Sequence, residues 1–578
     1  MPYTGQIAEI KFGDNGLMYD LAQQNIPPSA FIRADNVQFF NGIAEKADQI
    51  NTWMLGNPSF STPTFTGEKP LAVHRYFPLP GIERHIVVTD IGNVYKYDTP
   101  FSRVLVTPIL GAPTTLSINN LPVIVEGGNE DANQPRKLFI FTGNSPVQVI
   151  EDDNATRRNM TSPALDWSAS YPTNGFVFRN RLCAYGNLND PHRLYISTGS
   201  NQEDFTGSGN STISIFPGDS DGLYGGFVFK GRVFLWKKPY GVYYLVADDP
   251  SPSNWYSQKV SSNVGIASER AYFEAGDDLF FMSNDGTIAS FTAAFRLGDI
   301  YQADLLSNIK TESIFRNIIR KQFLGNAFGK YLPQKKIGIF AFPSFLSSDG
   351  KSDCFVYIDF NQQTPRVSWH RYKANTFTCV SYYKDAYGDD QFVFGKLNYT
   401  AGSYVNGEMG AYAPYYSSTV PFRIQTPHLD LGSPNNKLFD FFEFDFENTT
   451  TWPLAVDVYI DSKYTQTFTL QPYYNGTLGS PIFGPLTSQY SNPTFTLDQS
   501  YLDGRGTRDG AARLGGRGKT ISFVIRDGDV LTQVGSPPTQ TFTGPNPDTD
   551  QGSVYPYKIT GIKVYYRVAG QDAKKQTN

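Results

Sequence analysis

Cysteine is scarce: 578 residues contain three, Cys183, Cys354 and Cys379. So sparse and odd a set builds neither a disulfide framework nor a spaced zinc site, and it reads as buried reduced thiols. Histidine is nearly as rare. His74, His85, His192, His370 and His428 stand in unrelated contexts, without the HxH or HExxH spacing that holds a metal. Positive charge is not in excess either, since 49 Lys plus Arg face 54 Asp plus Glu, a net charge of −5. That balance excludes tight capture of nucleic acid by bulk electrostatics. No uncharged apolar run approaches the length of a membrane span, and residues 1–20 lack the basic, apolar and small-residue order of a leader. The expectation is a soluble protein made in a reducing cytoplasm.

Aromatic and turn-forming residues are abundant. Phe and Tyr number 44 and 36, aromatics reach 15%, and there are 52 Gly and 38 Pro. Strand formers mixed with turn formers favour many short strands. A chain this long exceeds one ordinary domain, so two to four units are expected.

Residues 262–291 set the rhythm. Apolar runs at 271–274 and 279–282 are separated by Gly276-Asp277-Asp278 and Asn284-Asp285-Gly286 and resume at 287–291. Such turns between apolar runs supply the positive φ a hairpin needs, so this is an antiparallel meander. Residues 227–245 repeat it, and related patterns begin at His85, Leu138, Gly175, Lys336 and Phe392. Their spacing, roughly 35–55 residues, is that of propeller blades. An all-β chain is predicted: a β-propeller of six to eight blades over 74–415, after lead-in strands at 1–73 that join the propeller or a platform. A stacked pair of β-sandwiches gives a similar pattern.

One stretch breaks the rhythm. Leu305, Leu306, Ile309, Ile314, Phe315, Ile318, Ile319 and Phe323 are apolar at helical spacing, with Thr311 or Ser313 as N-cap, predicting one main helical insertion near 302–330. Beyond Tyr412 the strands lengthen. Phe442, Phe444 and Phe446 alternate with Glu443, Asp445 and Glu447, one buried face against one acidic face. Residues 472–517 read as a long exposed loop, and 416–578 as a β-sandwich-like C-terminal domain.

Motifs with chemistry are few. Residues 513–520 look like a phosphate loop but lack its first glycine, Arg513 standing there, and they lead into a strand where a helix N-terminus is needed. What remains is a basic contact loop of Arg505, Arg508, Arg513, Arg517 and Lys519, suited to an acidic partner or a phosphate backbone. Ser283-Asn284-Asp285-Gly286-Thr287 resembles a sialidase Asp-box turn, yet lacks the residue between Asp and Gly and has no second copy. Glycosidase chemistry needs two carboxylates across a sugar ring, and spacing nominates no pair. Asp219, Asp221, Asp277 and Asp278 fall short of a calcium loop. These spacings argue for neither an enzyme nor a cofactor.

Several segments taken together carry a resemblance. They are Gly16-Leu17, Ile26-Pro27-Pro28-Ser29-Ala30, Ala34-Asp35-Asn36-Val37 and Asn41-Gly42-Ile43; then Gly175-Phe176, Arg181-Leu182, Pro191-His192-Arg193-Leu194-Tyr195-Ile196-Ser197 and Asp204-Phe205; then Pro217-Gly218, Asp221-Gly222-Leu223 and the ending at 557–567. In this order, over about two thirds of the chain, they resemble the tail nozzle proteins of short-tailed bacteriophages, also called tail hub or packaged-DNA stabilisation proteins. The resemblance implies a propeller body with added β domains, six copies forming a tube below the portal and adaptor. It implies a virion tail component assembled in the host cytoplasm. Double-stranded DNA would pass through the lumen, shut beforehand by loops, a plug or a needle, and fibres or tailspikes would dock outside. A net acidic chain suits a wall that DNA must slide past. Glu443, Asp445 and Glu447 are the candidate lumen-facing row. A glycan-binding or glycan-cleaving propeller and a receptor-binding fibre component are the rival readings.

Overall fold

In the computed structural model, tight turns of the kind the meanders require separate short apolar strands. Arg179-Asn180 and Lys230-Gly231 sit at φ 48°/58° and 49°/72°, the paired left-handed conformation of a two-residue hairpin that follows the sheet twist. The structure describes residues 5–568 with gaps, the longest at 53–63, 129–135, 414–421, 447–453, 485–511 and 544–557; residues 298–304 and 306–310 are also outside it.

Seven antiparallel meanders follow one another, six in sheets of their own and the sixth in sequence as one end of a nine-stranded sheet. Their first strands are Pro70–Tyr76, Ile118–Glu126, Asn174–Phe178, Leu223–Phe229, Tyr272–Ala275, Phe328–Leu332 and Asn375–Lys384, which name blades 1 to 7. Each blade buries one face against the next. Ile86 and Val88 meet Leu138 and Ile140 between blades 1 and 2. Phe139 and Phe141 meet Leu182 and Tyr195 between blades 2 and 3. Phe176 and Tyr185 meet Val233 and Leu235, and Trp236 meets Phe281 at 4.9 Å between ring centroids. Phe273 packs on Phe340, Phe355 on Phe394, and Val393 with Tyr383 on Val87 and Tyr97. The last contact joins blade 7 to blade 1, so the chain is a closed seven-bladed β-propeller. Closure is reinforced by the N-terminal region: Gln49–Thr52 forms the outer strand of blade 7, pairing with Ser403–Ala413.

The C-terminal sheets stack as a sandwich that the N-terminus completes. Lys437–Phe446 and Lys558–Val568 pair with each other, and Gln6–Lys11 and Ile43–Lys46 add to the second of them. The facing sheet holds Arg423–Gln425, Leu454–Ile460 and Ile521–Asp527. Phe442 lies 5.2 Å from Phe523 between the layers. Arg33–Asp35 pairs with both Arg366–Arg371 of blade 6 and Arg423–Gln425, so one nine-stranded sheet runs from propeller to sandwich.

The expected main helical insertion is not confirmed, and Leu306 and Ile309 lie outside the described residues. Near 302–330 the described residues hold a seven-residue helix, Glu312–Ile318, and a 3-10 segment, Lys321–Asn326. Ile319 turns extended at ψ 131° and bridges Ser344, which ends the helix in spite of the apolar spacing. Thr311 is at the N-cap but makes no side-chain capping bond; the carboxylate of Asp20 accepts from the Ser313 N–H at 3.0 Å instead.

Candidate functional site

The first strands line the propeller axis, and at the end where they begin an open pocket of about 420 Å³ lies between blades 2 and 6. Its wall is built from strand starts and turns: Asn120 and Thr173 on one side, Asn326 on another, and Tyr224, Lys238 and Glu269 together. Tyr224 belongs to the first strand of blade 4, Lys238 follows the second, and Glu269 precedes the first strand of blade 5. These three side chains are therefore fixed by backbone that the sheets hold rigidly.

Glu269 is half-buried and makes no ion pair among the described residues. Burial dominates its titration and pushes its pKa up to about 7, although Arg270, Lys238 and the Asn174 amide pull the other way. The Lys238 ammonium lies 4.4 Å from the Tyr224 ring centroid, a cation–π contact, and forms no ion pair among the described residues. Burial raises the Tyr224 phenol well above its ordinary value, so it stays a neutral hydroxyl.

Arg270 follows Glu269 in sequence but stands outside the pocket's lining. Its Nη1 donates to the Leu71 carbonyl at 2.7 Å and its Nη2 to the Thr378 carbonyl at 3.2 Å, while the guanidinium lies 6.0 Å from the Phe328 ring centroid. A residue from the head of blade 5 thereby reaches blades 6, 7 and 1 across the axis. Burial lowers its pKa, and its Nε–H is buried without an acceptor. Deeper along the axis, His74 stands 3.6 Å from Glu126, and Lys330 lies 5.4 Å from the Tyr382 ring centroid.

The residues singled out from sequence lie elsewhere. Glu443 sits opposite Lys563 on the sandwich's outer face and accepts from the Tyr565 hydroxyl at 3.0 Å, while nearby Asp440 pairs with Arg567 at 2.8 Å. Asp445 continues the strand opposite Gly561, and Glu447 lies outside the described residues. Arg505 and Arg508 also lie outside them. Arg513 and Arg517 correct the loop expectation: they belong to strand Ala512–Gly518, opposite Phe441 and Leu438, because the run from Arg513 to Gly518 completes the edge of the sandwich sheet. Lys519 follows, exposed. The N–H groups of Lys519 and Thr520 donate to Asp461 Oδ1 at 2.8 and 2.9 Å, so the chain's own carboxylate fills the place an anion would take.

The turn aspartates are structural. Burial disfavours the charged form of Asp219, but bonds from Lys237 (2.7 Å), Tyr243 and Lys259 (3.2 Å) outweigh it and hold its pKa well below the usual range. Asp278 accepts from the Leu279 and Thr292 N–H groups, capping the helix Phe291–Leu297. Asp285 accepts from Ser283 and from the Thr287 N–H within its own turn. The three cysteines are buried.

Sequence reasoning missed Glu269, Arg270, Lys238 and Tyr224. One signal was present: Glu269-Arg270 places two charges directly before the first strand of an otherwise apolar meander. In a propeller that position faces the axis.

No family model matches the chain, and no curated protein matches it. Solved structures do. An exo-β-1,3-galactanase from Phanerochaete chrysosporium, solved with galactose, is 11% identical, with 90% of this chain and 100% of that one covered at a TM-score of 0.28. YCF48 from Cyanidioschyzon merolae is 9% identical over 60% and 97% at 0.34, and Raptor from Chaetomium thermophilum 9% over 64% and 29% at 0.36. The expectation that the chain is not an enzyme is corrected here, because a glycoside hydrolase stands among these matches. At such identity and TM-score the likeness assigns the chain no activity of its own.

Proposed function

We propose that this chain is a tail nozzle subunit of a short-tailed bacteriophage, six copies forming a tube below the portal and adaptor through which the genome leaves. The observation that carries this reading is the ordered set of segments resembling that family, from Gly16-Leu17 to 557–567. Their places in the fold are consistent with it. Gly16-Leu17 and Ala34-Asp35 lie where the sandwich joins blade 6, and the last segment is a central strand of the sandwich. A propeller and sandwich sharing one sheet make a stiff body, as a wall under DNA pressure requires. Val104, Leu105, Ile109 and Leu110 are exposed apolar residues near the rim of blades 1 and 2, a surface suited to another subunit.

The test is electron microscopy of the purified chain alone and with its adaptor, together with gold-labelled antibody on whole particles. Six-fold rings that stack on the adaptor, and label at the distal end of a short tail, are expected. Trimers, or label along fibres, would move the assignment to a receptor-binding component.

A second reading, a glycan-binding or glycan-cleaving propeller, is favoured by one specific observation. The axial pocket carries Glu269, whose pKa near 7 is that of a carboxyl tuned for proton donation. Release of reducing sugar from bacterial surface polysaccharide would support it, and its absence across a panel would count against the cleaving form.

A further inference from the structure

We infer that the axial pocket binds one acidic sugar, its carboxylate against Lys238 and its hydroxyls against the amide-lined wall, with Glu269 in its protonated form. The inference rests on the second reading in so far as that reading makes the pocket a glycan site; it does not depend on the tube.

Size comes first. The volume of about 420 Å³ falls within the range of roughly 300–1,000 Å³ typical of small-molecule sites, toward the end that suits one sugar unit. The wall chemistry comes second. Asn120, Thr173 and Asn326 offer donors and acceptors from three different elements, which suits a ligand with hydroxyls around its rim.

Charge decides the class. One cation, Lys238, lines the pocket and makes no ion pair among the described residues, and Arg270 adds positive potential at Glu269 from outside the lining. Arg270 gives its Nη donors to two backbone carbonyls, which leaves its charge uncancelled. Glu269 is the only carboxylate among the described residues that line the pocket, and burial already favours its neutral form. The other titratable groups that Glu269 interacts with are Tyr224, Tyr185 and Tyr272, from the first strand of blade 4, the second of blade 3 and the first of blade 5; burial raises all three phenols, so they stay neutral. The lining is thus net positive when Glu269 holds its proton and close to neutral when it does not. In a partly desolvated pocket a monoanion is favoured, and a neutral sugar gains nothing from the Lys238 charge.

The sign of the pH dependence follows. An anion beside Glu269 stabilises its protonated form, so binding takes up a proton and strengthens as pH falls through the carboxyl's pKa near 7. No covalent step is involved.

Titration calorimetry on the full-length chain, in whatever oligomer it forms, tests this with D-glucuronate, D-glucose and acetate at pH 6 and pH 8. Glucuronate is expected to bind about tenfold tighter at pH 6 than at pH 8, with glucose and acetate much weaker at both. Glu269→Gln should bind glucuronate equally at the two pH values. Lys238→Met should lose it while its thermal midpoint stays that of the parent chain. Glucose binding as well as glucuronate would overturn the acidic-sugar assignment and leave the glycan reading standing. Acetate binding as tightly would reduce the site to a carboxylate pocket and overturn the sugar. No binding of either sugar by folded chain would overturn the inference and the glycan reading together, with the six-fold assembly still to be read independently.

Discussion

Glu203 and Glu269 are both glutamates of the propeller, each in a segment between strands, and they have opposite surroundings. Glu203 lies between blades 2 and 3 at 1% exposure and accepts from Lys137 at 2.7 Å, from Arg158 at 2.7 and 2.8 Å and from Thr161 at 3.1 and 3.2 Å. Burial raises its pKa, but Arg158 and Lys137 outweigh that and hold it at about 2. Glu269 has no such partner and rises to about 7. One carboxylate is spent on holding two blades together. The other keeps its capacity for a ligand, at some cost to the fold.

The largest effect is expected at the satisfied site. Glu203→Gln leaves Lys137 without its carboxylate and Arg158 with Glu151 alone at a blade seam, and breaking a buried pair from one side costs about 3–5 kcal/mol. Denaturant melts at pH 7 check this. The acid limb carries the same signature: the folded pKa lies below the unfolded value near 4.5, so the stability Glu203 contributes is present above that value and is lost as pH falls toward 2. The variant's melt should be flatter across that window.

Arg270→Met comes next. It removes two charged donors from the carbonyls of Leu71 and Thr378, and a loss of roughly 2–3 kcal/mol is expected, with faster hydrogen exchange where blade 7 meets blade 1.

Glu269→Gln should act in the opposite direction. Its folded pKa lies above the unfolded 4.5, so the native state loses stability as pH rises from there through about 7. The variant gains on the order of 1–2 kcal/mol at pH 8, the full shift being discounted for partial exposure, and gains nothing at pH 4. The smallest effect belongs to the rim. Arg193 pairs with Asp166 and Asp190 in solvent, and Arg193→Ala should cost less than about 1 kcal/mol.

The contrast between these sites also explains what the sequence disclosed. Blades were legible because each strand's burial is local: Tyr272–Ala275 and Asp278–Met282 stand where the turns at Gly276 and Asp285 require them. The continuous sheet through Arg33–Asp35 was not legible, since its pairing with Trp369 and Arg423 spans more than 300 residues. Of the helix expected near 302–330 the described residues show one short piece, because apolar spacing at Phe315, Ile318 and Ile319 serves a core shared by blades 5 and 6 and the sandwich, which a short helix and an extended residue fill equally well. The strand Ala512–Gly518 was read as loop because three glycines in its length suggest turns, whereas Gly516 and Gly518 admit the Ile460 side chain from the facing sheet. Glu269 was missed for a related reason. A carboxylate's function here depends on which partners the fold withholds, and pairing across blades is invisible in a linear sequence.

The measurement that tests this account most directly is a carbon-13 titration of the glutamate carboxyls, assigned by comparing the parent chain with Glu269→Gln and Glu203→Gln. The account predicts a carboxyl titrating near pH 7 that disappears in the first variant, and one still ionised well below pH 4 that disappears in the second. A Glu269 that titrates near 4.5, like a glutamate in water, would contradict it.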